Sequence, residues 1–151
     1  MLSTDTDLLT DLIARKRDCL GQLHALAVRQ SELIEADAMG DLMHVLAAKQ
    51  RLLGALQGVE SELDPFRHQR PDERRWRNDD LRVRTGRLLD ECEALLAEIL
   101  QEEKRGEERL RQRRDETAAR LQLAQEAGRA CGAYTERPAA ASRRLDLSSG
   151  D

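Results

Sequence analysis

The apolar residues of this chain advance in alternating steps of three and four, and that spacing leaves few folds open. From the amino end, Leu9, Leu12/Ile13, Cys19/Leu20, Leu23, Leu26/Ala27 and Leu33/Ile34 keep the step, with Lys16 and Gln30 on the same seam. Leu42, Val45/Leu46, Lys49, Leu52/Leu53, Leu56, Val59 and Leu63 form a second run. A third holds Leu81, Leu88/Leu89, Cys92, Leu95/Leu96, Ile99, Leu110, Thr117, Leu121, Ala124, Gly128 and Cys131. Side chains three and four apart share one face of an α-helix, so each run reads as a helix whose stripe another helix must cover. Composition points the same way. Charged residues make up 36% and aromatic residues only 2%, and the β-branched and aromatic runs a sheet needs are missing.

Thr4 or Asp5 can cap the first helix, and Asp7 suits its positive end. Ala38-Met39-Gly40-Asp41 reads as a turn, with Gly40 left-handed and Asp41 capping the next helix. Pro65 disfavours a helical Asp64 and ends the second helix. Asn78, Asp79 or Asp80 can cap the third. The expected architecture is all-α: an antiparallel hairpin of helices 5–37 and 41–63, a polar Arg-rich connector 64–79 without periodicity, and one long helix 80–134. Together they form an elongated three-helix, coiled-coil bundle over residues 1–137. A tail, 138–151, is expected to be disordered after Pro138.

The helix lengths are unequal. About 50 residues of helix span roughly 75 Å, whereas about 22 residues span roughly 33 Å. Residues 81–100 are rich enough in Leu to close a bundle, but 101–120 offer only Leu110, Ala118 and Ala119 as apolar residues. That stretch either pairs along one edge of the first helix or stands free. Residues 121–133 then restore an apolar stripe, and a stripe beyond the bundle requires a partner.

Catalytic chemistry is hard to place. His24, His44 and His68 show no HExxH or paired-ligand spacing, and CxxC, a Gly-rich phosphate loop and GxSxG are all missing. Glu102-Glu103 and Glu107-Glu108 read as a solvated helix face. No enzymatic activity, metal, cofactor or small-molecule substrate is expected. Cys19, Cys92 and Cys131 are too far apart in sequence to suggest a disulfide framework and read as reduced thiols. There is no membrane-spanning run, and the first residues lack the basic and apolar blocks of a signal peptide. The expected compartment is therefore the cytoplasm.

Three features can carry function. Residues 65–87 hold eight basic side chains against four acidic ones, in a chain of net charge −4. Arg67, Arg70, Arg74, Arg75, Arg77, Arg82, Arg84 and Arg87 surround Trp76 there. The cluster reads as a solubilising connector paired to acidic helices, or as a patch for an acidic partner through Arg67, Arg70, Arg74, Arg75 and Arg77. Nucleic-acid binding is disfavoured, because the rest of the molecule repels phosphate. The second feature is the stripe 121–131 with Tyr134, which can pack on the first helix, on a second copy or on a client. The third is the tail from Gly132 to Leu147, which either frays or folds on a partner through Tyr134, Leu145 and Leu147.

Taken together, the chain resembles the FlgN family of bacterial flagellar export chaperones. A Lys-Arg-rich first turn is followed by Leu20, Leu23 and Leu26, then Gln30, Leu33-Ile34 and Asp37 before a short break. Lys49-Gln50-Arg51-Leu52-Leu53 with Leu56, Glu60 and Leu63 matches the second helix. Cys92, Leu95, Leu96 and Glu98 match the third, which continues as an Arg-rich coil through Arg114 and Leu121. Ala133-Tyr134 and a tail ending Leu145-Asp146-Leu147 complete a resemblance that covers nearly the whole chain. It implies a cytoplasmic protein that binds hook–filament junction proteins, covers their helix-prone terminal segments and brings them to the flagellar type III export gate. The implied client surface is Leu110, Thr117, Leu121, Ala124, Gly128, Cys131, Leu145 and Leu147, with Tyr134 for docking to the gate. The resemblance does not extend to the Arg-rich segment Pro65–Arg87, whose role it leaves open. A self-pairing coiled-coil scaffold and a nucleic-acid-binding regulator are the rival readings, and a weak homodimer stays open.

Overall fold

A computed structural model describes the backbone of residues 2–149 and the side chains of residues 5–133. Three α-helices, α1 (Leu2–Glu35), α2 (Met39–Arg67) and α3 (Asp79–Ser149), are joined by a short turn and by a connector holding one 3₁₀ turn, Pro71–Glu73. The all-α architecture expected from the spacing is present. The chain divides into two units, Met1–Arg109 and Leu110–Asp151.

The first unit is a three-helix bundle whose directions follow from its side-chain pairs. Arg15 with Glu62 at 3.2 Å and Lys16 with Glu60 at 2.9 Å set α1 and α2 antiparallel. On α3, Thr85 meets Thr10 at 2.7 Å, Glu91 meets Arg17 at 3.1 Å, Glu98 meets His24 at 3.4 Å and Glu102 meets Ser31 at 3.3 Å. Partner numbers rise together, so α1 and α3 are parallel. The series closes with Arg109 on Glu35, the last residue of α1. Residues 101–109 therefore belong with the bundle and pair along α1.

Apolar burial centres on α1. Leu9, Leu12, Ile13, Leu20 and Leu23 join Val59, Leu63, Phe66 and Cys92 in one cluster. Leu33 and Ile34 join Leu42 and Val45 in a second. Near the second cluster, Lys49 Nζ lies 2.8 Å from Gln30 Oε1 and also holds Glu103, which ties all three helices at one level. The polar residues on the predicted seams, Lys16, Gln30 and Lys49, are thus placed in ion pairs and hydrogen bonds between helices.

Several boundaries differ from the sequence reading. The helical backbone of α1 starts at Leu2, ahead of the expected cap at Thr4 or Asp5. Thr6 is buried, and its hydroxyl donates to the Arg75 carbonyl at 3.0 Å. The α1–α2 turn takes its left-handed residue at Asp37, φ 59°, and not at Gly40, which lies within α2. The Ala38 amide donates to Leu33 O at 3.0 Å and the Asp37 amide to Ile34 O at 3.2 Å. This is the paired closure of a helix end with a left-handed residue just past it, a place aspartate tolerates. Ala38, packed on the Leu33 cluster, supplies the apolar contact that goes with this closure and precedes α2 in place of Asp41.

Pro65 does not stop α2, which runs to Arg67. The extra turn buries Phe66 in the main cluster, and Arg67 bonds back to Asp64 at 2.7 Å and to Glu60. Those gains outweigh one missing amide hydrogen bond in the last turn. The connector is joined to the bundle at two points: Trp76 packs on the main cluster and Arg74 Nη2 donates to Phe66 O at 2.6 Å. Asn78 caps α3 as expected, accepting from the Leu81 amide at 2.8 Å. The backbone of α3 continues through Pro138 to Ser149. The proline removes one amide donor and crowds the preceding turn, while the alanines after it favour helix more than any other residue.

Adjacent Leu pairs resolve into one inward and one outward member. Leu52, Leu88 and Leu95 are half-buried, while Leu53, Leu89 and Leu96 are exposed. Neighbours on a helix are about 100° apart, so both cannot face one seam. Leu20→Ala should cost about 2–5 kcal/mol in urea unfolding, because it empties fully buried space. Met43→Ala, on the exposed face of α2, should stay within about 0.5 kcal/mol in the same assay.

Candidate functional site

The implied client surface falls on α3 within the second unit. Leu110 is 40% exposed and Leu121 59%, and Thr117, Ala124, Gly128 and Cys131 are all exposed. Leu123, within the stripe 121–131 but not among the implied client residues, is 64% exposed. Positions 110, 117, 121, 124, 128 and 131 repeat the three–four step on a continuous helix, so they share one face of it. At 100° per residue, Arg113, Arg114 and Arg120 border that face, while Asp115, Glu116 and Glu126 point away from it. Arg114 reaches Asp115 at 3.6 Å and Arg120 reaches Glu116 at 3.8 Å. The side chains of Tyr134, Leu145 and Leu147 lie outside the described residues.

The arginine patch is spread along the connector and largely engaged by the protein's own acceptors. Arg67 is held by Glu60 and Asp64, Arg70 lies 4.0 Å from Glu73 and Arg77 lies 3.7 Å from Asp7. Arg74 closes the carboxyl end of α2 through Phe66 O. Arg75 is exposed and offers its carbonyl to Thr6. Arg82 pairs with Asp79 at 3.7 Å. This is the arrangement expected of a connector neutralised by neighbouring acids, although exposed pairs of this kind are worth little individually.

Glu60 is the junction of that network, shared by Lys16 and Arg67. Partial burial pushes its carboxyl up, but hydrogen bonds and charge from Lys16 and Arg67 prevail and hold it below its ordinary value. The hydrogen bond to Glu60 raises Arg67 in turn. Burial pushes the Cys92 thiol up, away from the reactive thiolate.

A feature the sequence reading missed lies in the first unit. A cleft of about 570 Å³ opens between Leu9 and Ile13 of α1, Leu63 and Phe66 of α2, Trp76 of the connector, and Thr85, Gly86 and Leu89 of α3. Lys16, Arg67, Asp72, Arg74 and Arg82 complete its lining. Its sequence signal was slight: the chain's only tryptophan set within an arginine run, and a phenylalanine directly after Pro65. Among the described residues no group of His, Cys, Asp and Glu could hold a metal ion, and no helix is long and apolar enough to cross a membrane.

Comparison with family models, with curated proteins and with solved structures gives no match for this chain.

Two measurements test this geometry. Glu60 has a lowered folded value, so its ionisation stabilises the fold above the ordinary 4.5 and that contribution fades as pH falls through the folded value. Glu60→Gln should flatten the acid limb of a stability–pH curve below 4.5. An unchanged limb would mean the Lys16–Glu60–Arg67 junction is idle. In maleimide labelling followed by mass spectrometry, exposed Cys131 should react in the folded protein and buried Cys92 only after denaturation.

Proposed function

We propose that this chain is a cytoplasmic export chaperone, a binding protein and not an enzyme, whose second unit captures helix-prone segments of hook–filament junction proteins and brings them to the flagellar type III export gate. The carrying observation is the exposed apolar stripe of α3, Leu110 through Cys131, on a unit separate from the first unit's closed core. A client helix with its own apolar seam would cover that stripe, and each leucine fully covered is worth about 1.5–3 kcal/mol. Capture needs no nucleotide. Release follows when another partner competes or the export machine draws the client away.

The resemblance to the FlgN family supplies the identity of the client and the role of Tyr134 in gate docking. The stripe alone equally fits a second copy of the chain, as a scaffold would use it. Its bordering arginines, Arg113, Arg114 and Arg120, favour a foreign client, because an in-register copy brings like charges side by side. Nucleic-acid binding is the weaker reading, since Arg67, Arg70, Arg77 and Arg82 already face carboxylates of the same chain.

Replacing Leu121 and Ala124 together by Asp in the full chain tests the proposal. The variant should keep the helicity and melting of the first unit but lose at least tenfold in affinity for a purified hook–filament junction protein, about 1.4 kcal/mol or more. Undiminished capture would move the client surface elsewhere. A tight dimer by light scattering, dissociated by the same variant, would favour the scaffold.

A further inference from the structure

Client capture leaves the cleft beside Trp76 without a role. Its apolar wall is formed by Leu9, Ile13, Leu63, Phe66, Trp76 and Leu89, and it is drawn from all three helices and the connector at one end of the first unit. At about 570 Å³ it falls in the size range of small-molecule sites. The charged groups on its rim are four cations against the single carboxylate of Asp72. Lys16, Arg67 and Arg82 already hold Glu60, Asp64 or Asp79. Arg74 differs: among the described residues it holds a backbone carbonyl and no carboxylate, and its Nε is buried with no hydrogen-bond partner. The Arg74 side chain as a whole lines the cleft and is only half-buried, so an anionic head in the cleft meets its charge without having to reach the covered Nε.

We propose that this cleft binds a small amphipathic carboxylate, with its apolar body against Trp76, Phe66 and Leu89 and its anionic head on Arg74. The inference does not rest on the chaperone reading. Both halves of the ligand follow from the lining: the wall selects an apolar body, and the one guanidinium without a carboxylate selects an acid over a neutral or cationic head. The enclosure by four segments suits a compact body, whereas a helical peptide needs a groove running along a helix axis.

Trp76 is the chain's only tryptophan, so its fluorescence reports on the cleft alone. Decanoate, kept below its micelle concentration and titrated into the full-length protein, should change that fluorescence saturably. Decanol, with the same chain and no charge, should bind at least roughly tenfold more weakly. Arg74→Met should weaken decanoate by a similar factor. Gly86→Leu supplies a variant that does not disturb the capping of α2: a Cβ at Gly86 meets nothing within 4 Å, leucine is the better helix former, and the longer side chain fills the cleft and should abolish the signal. The proposal is overturned if decanoate gives no saturable change, if decanol binds as tightly, or if Gly86→Leu titrates like the parent protein.

Discussion

The first unit depends on one helix serving two neighbours. The apolar face of α1 is wide enough to be shared: Leu9, Leu12, Ile13, Leu20 and Leu23 pack in the cluster with Val59, Leu63 and Phe66 of α2 and Cys92 of α3. Among the described side chains, few residues of α2 and α3 are fully buried by comparison, and most of their leucines are half-covered or exposed. Substitution in α1 therefore disturbs both contacts at once, while the outer faces of α2 and α3 tolerate change.

Apolar burial alone does not fix how the helices slide past one another, because leucines at heptad spacing match equally well one heptad along. Polar pairs remove that freedom. The Gln30–Lys49–Glu103 contact and the buried Thr10–Thr85 hydroxyl pair each lock a single level. Shifting α3 by one heptad would strand the Lys49 ammonium, whose side chain is only 14% exposed, and an unpaired buried charge is far more costly than a lost apolar contact.

Much of this was legible in the sequence. Most of the α1 seam was readable from the three–four step: Leu9, Leu12, Ile13, Leu20, Leu23, Ala27, Leu33 and Ile34 are buried, while Cys19 and Leu26, read onto the same seam, are half-buried. Local rules failed where burial outweighed them: Pro65 was read as a stop, yet one further turn covers Phe66, and Gly40 was read as the bend that Asp37 makes. The paired leucines were overcounted, since spacing marks a face only to within a residue. The cleft was illegible because its walls come from four separated segments, and only the lone Trp76 hinted at it. Exposure along 110–131 was one of two outcomes that the polar stretch before it left open, since such a helix can pair along one edge of α1 or stand clear of it, and spacing alone does not choose between them.

The parallel arrangement of α1 and α3 has a consequence for the order of folding. Helix pairs joined by a short turn find each other quickly, but Thr10 and Thr85 are 75 residues apart, and closing so large a loop carries an entropic cost that the hairpin avoids. The α1–α2 hairpin therefore forms first, with the side of α1 destined for Cys92 still open to water. Until α3 packs there, that side of α1 leaves the hairpin with a sticky, unfinished surface.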